Sequence, residues 1–258
     1  MSTGYSCRVS NTKKNIQPSD LSTFMASRRS TRDFLPTAVD QKIIDQILKD
    51  SLTAPSWSNT RPFKVAVAQG EVRDRISAEF LSRWGVLSKI MRKGIFNKFR
   101  ILYSRYGLPT SNRLIAKPYP AELKPRAERV GREMYETFGV TRGDRTARDL
   151  QWAKNYSFFG APVELFIFVH KSLGIYAASD AGLMMQNLML SAHAHGLGCC
   201  AQGAVGIWED VVRKEFDISK DYRLLCGIAI GYPSDSSVND FKAQRLEISE
   251  LTVKNRRA

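Results

Sequence analysis

Val163-Glu164-Leu165-Phe166-Ile167-Phe168-Val169 is a near-continuous apolar run. Such a run suits a strand buried on both faces, in the middle of a sheet. The segments downstream of it set the fold class. Residues 176–195 are rich in Ala, Met and Leu, contain no Pro and only one internal Gly, and carry apolar residues all round. That pattern predicts a buried helix, which Gly196 ends as the glycine just past the last turn. Cys199-Cys200-Ala201 reads as a short strand. Leu224-Leu225-Cys226-Gly227-Ile228-Ala229-Ile230 reads as a further core strand, stopped by Gly231 and Pro233.

Toward the N-terminus the pattern thins. Asp40 suits the cap of a helix over 41–53, with Ile43, Ile44, Ile47, Leu48 and Leu52 on one face. Pro55 ends it, and Ala54-Pro55-Ser56-Trp57-Ser58-Asn59 becomes a loop. Phe63-Lys64-Val65-Ala66-Val67 alternates as a strand does. A short helix is expected over 19–27, and residues 1–18 read as a flexible arm. Helices outnumber strands and the sheet is central. Residues 19–258 therefore form one domain, with further helices expected over 121–138 and near 144–157.

Of 258 residues, 43% are hydrophobic, enough to bury a core and to exclude wholesale disorder. No window approaches the ~18 apolar residues that a membrane span needs. The first residues lack the apolar stretch of a secretory leader. Cys7, Cys199, Cys200 and Cys226 form no metal-ligand spacing with His170, His193 and His195. Reduced thiols, no metal and a cytoplasmic location are the expectation. The net charge of +14 is concentrated. Between 83 and 132, thirteen Lys and Arg face only Glu122 and Glu128, so that segment carries +11. It reads as a mostly helical basic insertion, with Leu87, Ile90, Met91, Ile95, Phe99 and Leu102 on one side and Lys89, Arg92, Lys93 and Arg100 largely opposite.

Four stretches could carry chemistry. Arg28-Arg29-Ser30-Thr31-Arg32 sets three guanidiniums and two hydroxyls within five residues, which suits a phosphate; it equally suits a solvated helix end. Ser56 to Asn59 can offer donors to a polar ring or be an ordinary loop. Gln202-Gly203 follows a buried strand, where glycine lets backbone approach a flat ligand or simply turns the chain. Asn239 to Arg245 ends in an arginine that is either a second phosphate ligand or a surface residue. GxGxxG, Walker A, HExxH and GxSxG motifs are all absent.

In their order along the chain, Arg28 to Phe34, Ala54 to Phe63, Asn155 to Val163 (NYSFFGAPV), Asp180 to Gly198, Gly227 to Pro233 and Asn239 to Arg245 resemble the FMN-dependent nitroreductase family. They look nearest to its branch acting on nitrobenzoate-like aromatics. The resemblance departs in two places: Arg61-Pro62-Phe63 replaces the usual Gln then Pro-Trp, and Ala243, beside Lys242, stands where a basic residue is frequent. Segment 83–132 lies outside these resembling stretches.

The resemblance implies an α+β fold, a central mostly antiparallel sheet surrounded by helices, in an intertwined homodimer with FMN at its interface. Arg28, Ser30 and Arg32 would hold phosphate and ribityl, with Arg29 nearby, and Arg245 would complete the phosphate site. Pro55, Ser56, Trp57 and Asn59 would come from the partner chain, and Gln202 and Gly203 would lie by flavin N5. The implied chemistry is a ping-pong hydride transfer from NADH or NADPH to an oxidised aromatic acceptor, with no catalytic side chain and Arg32 as candidate to stabilise reduced flavin near N1. Reductive dehalogenation, enone reduction and flavin fragmentation are the neighbouring chemistries. From another class stands a membrane- or nucleic-acid-associated protein using 83–132. A membrane surface suits its basic amphipathic pattern, whereas nucleic acid is not expected because no recognisable binding module is present. As a lid beside the cleft, the segment would steer anions inward, NADPH more than NADH.

Overall fold

A computed structural model describes residues 16–92, 105–111 and 117–256. Of the flexible arm expected over 1–18, residues 1–15 lie outside these residues and Pro18 already opens the first helix; the helical reading through Lys93, Ile95, Phe99, Arg100 and Leu102 also lies outside them. Eight α-helices occur among them: α1 Pro18–Ser27, α2 Gln41–Ser51, α3 Gly70–Arg92, α4 Lys124–Thr137, α5 Arg145–Ala153, α6 Gly174–Ala194, α7 Glu209–Glu215 and α8 Ile248–Leu251. Strands β1 Phe63–Gln69, β2 Val163–His170, β3 Gly198–Gln202 and β4 Tyr222–Gly231 form one sheet in the order β1-β2-β4-β3. Every pairing in it is antiparallel.

The apolar run at 163–169 becomes the second strand of the sheet, buried along its length. Alternation sends its side chains to opposite faces. Val163, Leu165, Ile167 and Val169 enter a core with Ile44 and Ile47 of α2 and Ala181, Met184 and Leu188 of α6. Phe166 and Phe168 enter the other, with Ile76, Phe80 and Trp84 of α3, Tyr156 and Trp208. Cys199 and Cys200 likewise part to the two cores. Burial pushes their thiols up to about 12 and about 11, so they are neutral at physiological pH.

The helix ends follow their caps. The Asp40 carboxylate accepts from Lys42 N at 2.8 Å, and α2 stops at Ser51. Leu52, expected on the core face, is the C-cap residue and is 51% exposed. Asp144 caps α5 by accepting from Ala147 N at 2.9 Å. Pro125 stands in the first turn of α4, where its missing N–H costs nothing. Gly196 has φ +74°, as the end of α6 requires.

The basic segment is not wholly a solvated face. Helix α3 begins at Gly70 and packs in the core through Ile76, Phe80 and Trp84, so the segment's first residues belong to the domain body. Arg83 is 7% exposed. Its guanidinium donates to Glu79 Oε1 at 2.9 Å and to both oxygens of Asp210 at 2.9 and 2.7 Å. Desolvation alone would raise the Asp210 pKa; the Arg83 hydrogen bonds outweigh it and hold the carboxyl below its usual range.

Candidate active site

Residues 28–34 are laid as an extra rim on the sheet. Ser30 bridges Cys199 in parallel and Phe34 bridges Pro233. Thr31 N donates to Cys199 O at 3.0 Å and Leu35 N to Tyr232 O at 2.9 Å. The segment is then pinned by Asn239, 5% exposed. Asn239 Oδ1 accepts from Arg32 N at 2.8 Å, and its Nδ2 donates to Asp33 O at 2.8 Å and Ser234 O at 3.0 Å. One loop amide thus ties the arginine segment to the turn after β4. Sequence reading marked Asn239 only as the start of a stretch; the signal for more was an Asn among Ser and Asp, a residue that bonds loop backbone.

The outcome is a cleft of about 980 Å³ at the β3-start, β4-end edge of the sheet. Arg28, Arg29, Ser30 and Arg32 line it from one side and Lys242, Ala243 and Arg245 from the other, with Asp235 and Asp240 as the carboxylates. Arg32 Nη1 donates to Ser30 O at 3.4 Å and Arg245 Nη1 to Ala243 O at 2.9 Å. Arg28 makes no hydrogen bond or ion pair among the described residues. Cations drawn from distant parts of the sequence and left without carboxylate partners suit a polyanion.

His193, read from sequence as structural, lines the cleft and shares a 2.7 Å hydrogen bond with Ser27 Oγ. Burial, reinforced by Arg28 and Arg29, lowers its pKa. At neutral pH it adds no charge.

The remaining sequence-marked residues lie elsewhere. Trp57 N donates to the buried carboxylate of Asp180 at 3.1 Å, and the Trp57 ring meets Tyr176 with centroids 4.3 Å apart. Asp180 lies thirteen residues before His193 on α6, or ~20 Å along the helix. The loop Pro55 to Asn59 therefore does not line the cleft of its own chain. Ser58 and Asn59 hold positive φ, as does Arg61, and Trp57 is 53% exposed. Gln202 ends β3, ~13 Å from Gly198, and Gly203 follows it. Gly203 is exposed, while Gln202 is turned inward, 2% exposed, with Nε2 donating to Asn155 O at 2.7 Å. Its side chain braces the turn and does not face the cleft.

Gly198 shows how tightly this rim is set. A Cβ there would lie 2.3 Å from Thr31 Oγ1 and 2.7 Å from Thr31 Cβ. Gly198→Ala is expected to displace the segment bearing Arg28 to Arg32. Overpacking of this kind costs ~1–3 kcal/mol. The check is a lowered Tm together with weakened phosphate-ester binding; an unchanged Tm would show that the rim yields freely.

A helix-flanked antiparallel sheet with a cationic cleft at its edge defines an α+β protein equipped for a phosphorylated ligand. The nitroreductase family model matches residues 25–232, and the chain belongs to that family. It is 28% identical over 229 residues to a 4-nitrobenzoate reductase of Pseudomonas putida, covering 88% of this chain and 91% of that one. A chloronitrobenzene nitroreductase of Comamonas testosteroni is 27% identical over 227 residues, covering 88% and 92%. Among solved structures, the FMN-dependent nitroreductase NfnB of Mycobacterium smegmatis in complex with NADPH superposes with a TM-score of 0.75 at 26% identity, covering 92% and 98%.

Proposed function

We propose that the chain is an FMN-dependent oxidoreductase that takes hydride from NADH or NADPH and passes it to a nitroaromatic or similar oxidised acceptor by ping-pong turnover. The observation that carries this is the convergence of Arg28, Arg29, Arg32, Lys242 and Arg245 on one cleft. The cleft's volume is at the upper end of the ~300–1,000 Å³ range of ligand sites, and its unpartnered cations suit a phosphate dianion. The NADPH complex of a relative and the nitroaromatic names of others support the same reading.

Bound FMN would supply the hydride chemistry at N5. The chain's own residues bind and orient. Arg28 and Arg245 would clamp the phosphate, Ser30 and Arg32 would take the ribityl side with Arg29 at the rim, and Arg32 would place positive charge beside the ring. Gly203 would offer its exposed backbone, just past β3, to the flavin N5 edge. Pro55, Ser56, Trp57 and Asn59 would reach the cleft of a second copy, since none of them lines the cleft of the same chain. A homodimer follows from this reading. It would also cover Ile175 (78% exposed), Tyr176 (51%) and Leu183 (45%), which leave an apolar face on α6. Sedimentation read at the flavin absorbance tests both parts. A flavin-carrying dimer is expected; a flavin-carrying monomer would remove the shared site, and a colourless protein the cofactor.

The last part of the basic segment, in α4, flanks this cleft. Val130 of α4 lines it, and Arg126 and Arg129 line an adjoining groove that Val130 shares. We read the basic residues within 83–132 as steering anions to the site. For NADPH, kcat/KM should fall with added salt, and more steeply than for NADH; a flat response would refute steering. Among the described residues no helix is long and apolar enough to cross a membrane, and a cytoplasmic location is part of this proposal.

A further inference from the structure

Glu164 breaks the apolar run of β2 and is 0% exposed. Among the described residues neither carboxyl oxygen has a hydrogen-bond partner, and the same is true of Gln202 Oε1. The sheet register brings the two residues to one face, in adjoining rows. Gln202 pairs with Gly227 across β3 and β4, and Gly227 pairs with Phe166, two residues from Glu164 on the same face of β2. A Cβ on Gly227 would fall 2.0 Å from Glu164 Oε1. The carboxyl therefore occupies the space that a side chain at 227 would fill. Directly paired Cβ positions lie ~5 Å apart, so that space adjoins the Gln202 side chain. Glycine at 227 makes the room in which an acid and an amide come together.

We propose that Glu164 is a positioning residue: its protonated carboxyl donates to Gln202 Oε1 and so holds the turn at Gly203 that the proposed function sets beside flavin N5. This rests on that reading of the site. Donor arithmetic supports it. An ionised Glu164 would leave both of its oxygens and Gln202 Oε1 as buried acceptors without a hydrogen bond, a costly arrangement. The charged group that acts on Glu164 is Arg73 of α3, which is engaged elsewhere. Arg73 Nη1 pairs with Asp74 at 2.5 Å, Nη2 donates to Ser157 O at 3.3 Å, and the guanidinium lies over Phe158. Among the described residues Arg73 Nε is unpartnered, yet Glu164 forms no ion pair with it. Cys200 and Cys226, the nearby thiols that feel Glu164, are pushed up by burial to about 11 and about 12 and are neutral. Burial likewise drives the Glu164 carboxyl well above the usual carboxylate range, against the weaker pull of Arg73. With Oε1 accepting from Glu164 and Nε2 donating to Asn155 O, the Gln202 amide has one orientation and its turn one position.

Infrared spectroscopy of the flavin-free wild-type protein reads the proton directly. A carboxylic-acid carbonyl band should persist at pH 8 and disappear in Glu164→Gln. Its absence at neutral pH would mean an ionised Glu164 bridged to Arg73 and would overturn the proposal. On the FMN-loaded enzyme, Glu164→Gln keeps a neutral donor and should leave flavin reduction by NADPH within about twofold. Glu164→Leu keeps the volume without the donor and should slow it about tenfold, the scale of one buried acceptor left unpaired. Equal rates in the Leu variant and wild type, or equal damage in both variants, would also overturn it. If Glu164→Leu does not fold, the band and the Gln variant still decide. A wild-type protein that shows the band but takes up no FMN would sink the proposed function and leave the hydrogen bond standing.

Discussion

Arg28→Ala and Arg245→Ala each weaken FMN binding roughly tenfold to a hundredfold, and the pair together weakens it further. The reason is where these guanidiniums stand. Both line one cleft from opposite sides. Arg28 has no partner among the described residues, and Arg245 reaches only the carbonyl of Ala243, at 2.9 Å. Neither is spent on holding the fold, so the stability of the flavin-free protein should change by no more than ~0.5 kcal/mol, as for ordinary surface substitutions. Each charged hydrogen bond to phosphate contributes ~1.5–3 kcal/mol, and ~1.4 kcal/mol is tenfold in affinity. Because both residues grip one anion, the double variant should depart from the sum of the singles. Titration of apo-protein with FMN, followed by flavin fluorescence, is the measurement. Unchanged affinity in both single variants would remove the phosphate assignment.

How much of this was legible beforehand differs by element. β2 was readable because burial on both faces leaves an unbroken apolar run. α2 was readable because Asp40 and the isoleucines mark both its start and its inner face. The cleft was legible only in part. Three arginines in five residues announce an anion, but nothing local ties Arg28 to Arg245; the order of motifs did that. The burial of Arg83 was not legible at all, since its partner Asp210 is remote in sequence. It counted as surface charge until α3 was seen to enter the core. Ile76, Phe80 and Trp84, spaced four apart, carried that signal. The inward turn of Gln202 was hidden for the same reason: its partner, Asn155 O, lies 47 positions away. Local pattern fixes which face a residue takes. It does not say which distant polar group waits there.

Asp210→Ala should cost ~3 kcal/mol of stability and lower Tm by about 6–10 °C, the scale for a domain of this size. Breaking a buried ion pair from one side costs more than the pair contributes, because a charge is left behind. Here that charge is Arg83, with a side chain only 9% exposed. The estimate sits at the low end of the usual range because the Asp210 side chain is 39% exposed and Glu79 still holds Arg83 Nε. The loss extends beyond α3. Thr110 Oγ1 donates to Asp210 at 2.5 Å, Thr110 N and Ser111 N donate to Ile207 O, and Trp208 Nε1 donates to Leu108 O at 3.1 Å. Through these bonds residues 105–111 of the basic segment are fastened to the turn just after Gly203. Freed of Asp210, the segment should loosen over the proposed flavin edge, so turnover should fall more than the lost stability predicts. The pH dependence has a definite sign. The folded pKa of Asp210 is depressed, so its contribution is complete above the ordinary carboxylate pKa of ~3.9 and is lost as pH falls through the lower folded value. Acid unfolding of the wild type and of Asp210→Ala should therefore converge at low pH. Parallel acid-unfolding curves, or a Tm unchanged at neutral pH, would show that Arg83 finds equal support from Glu79 alone.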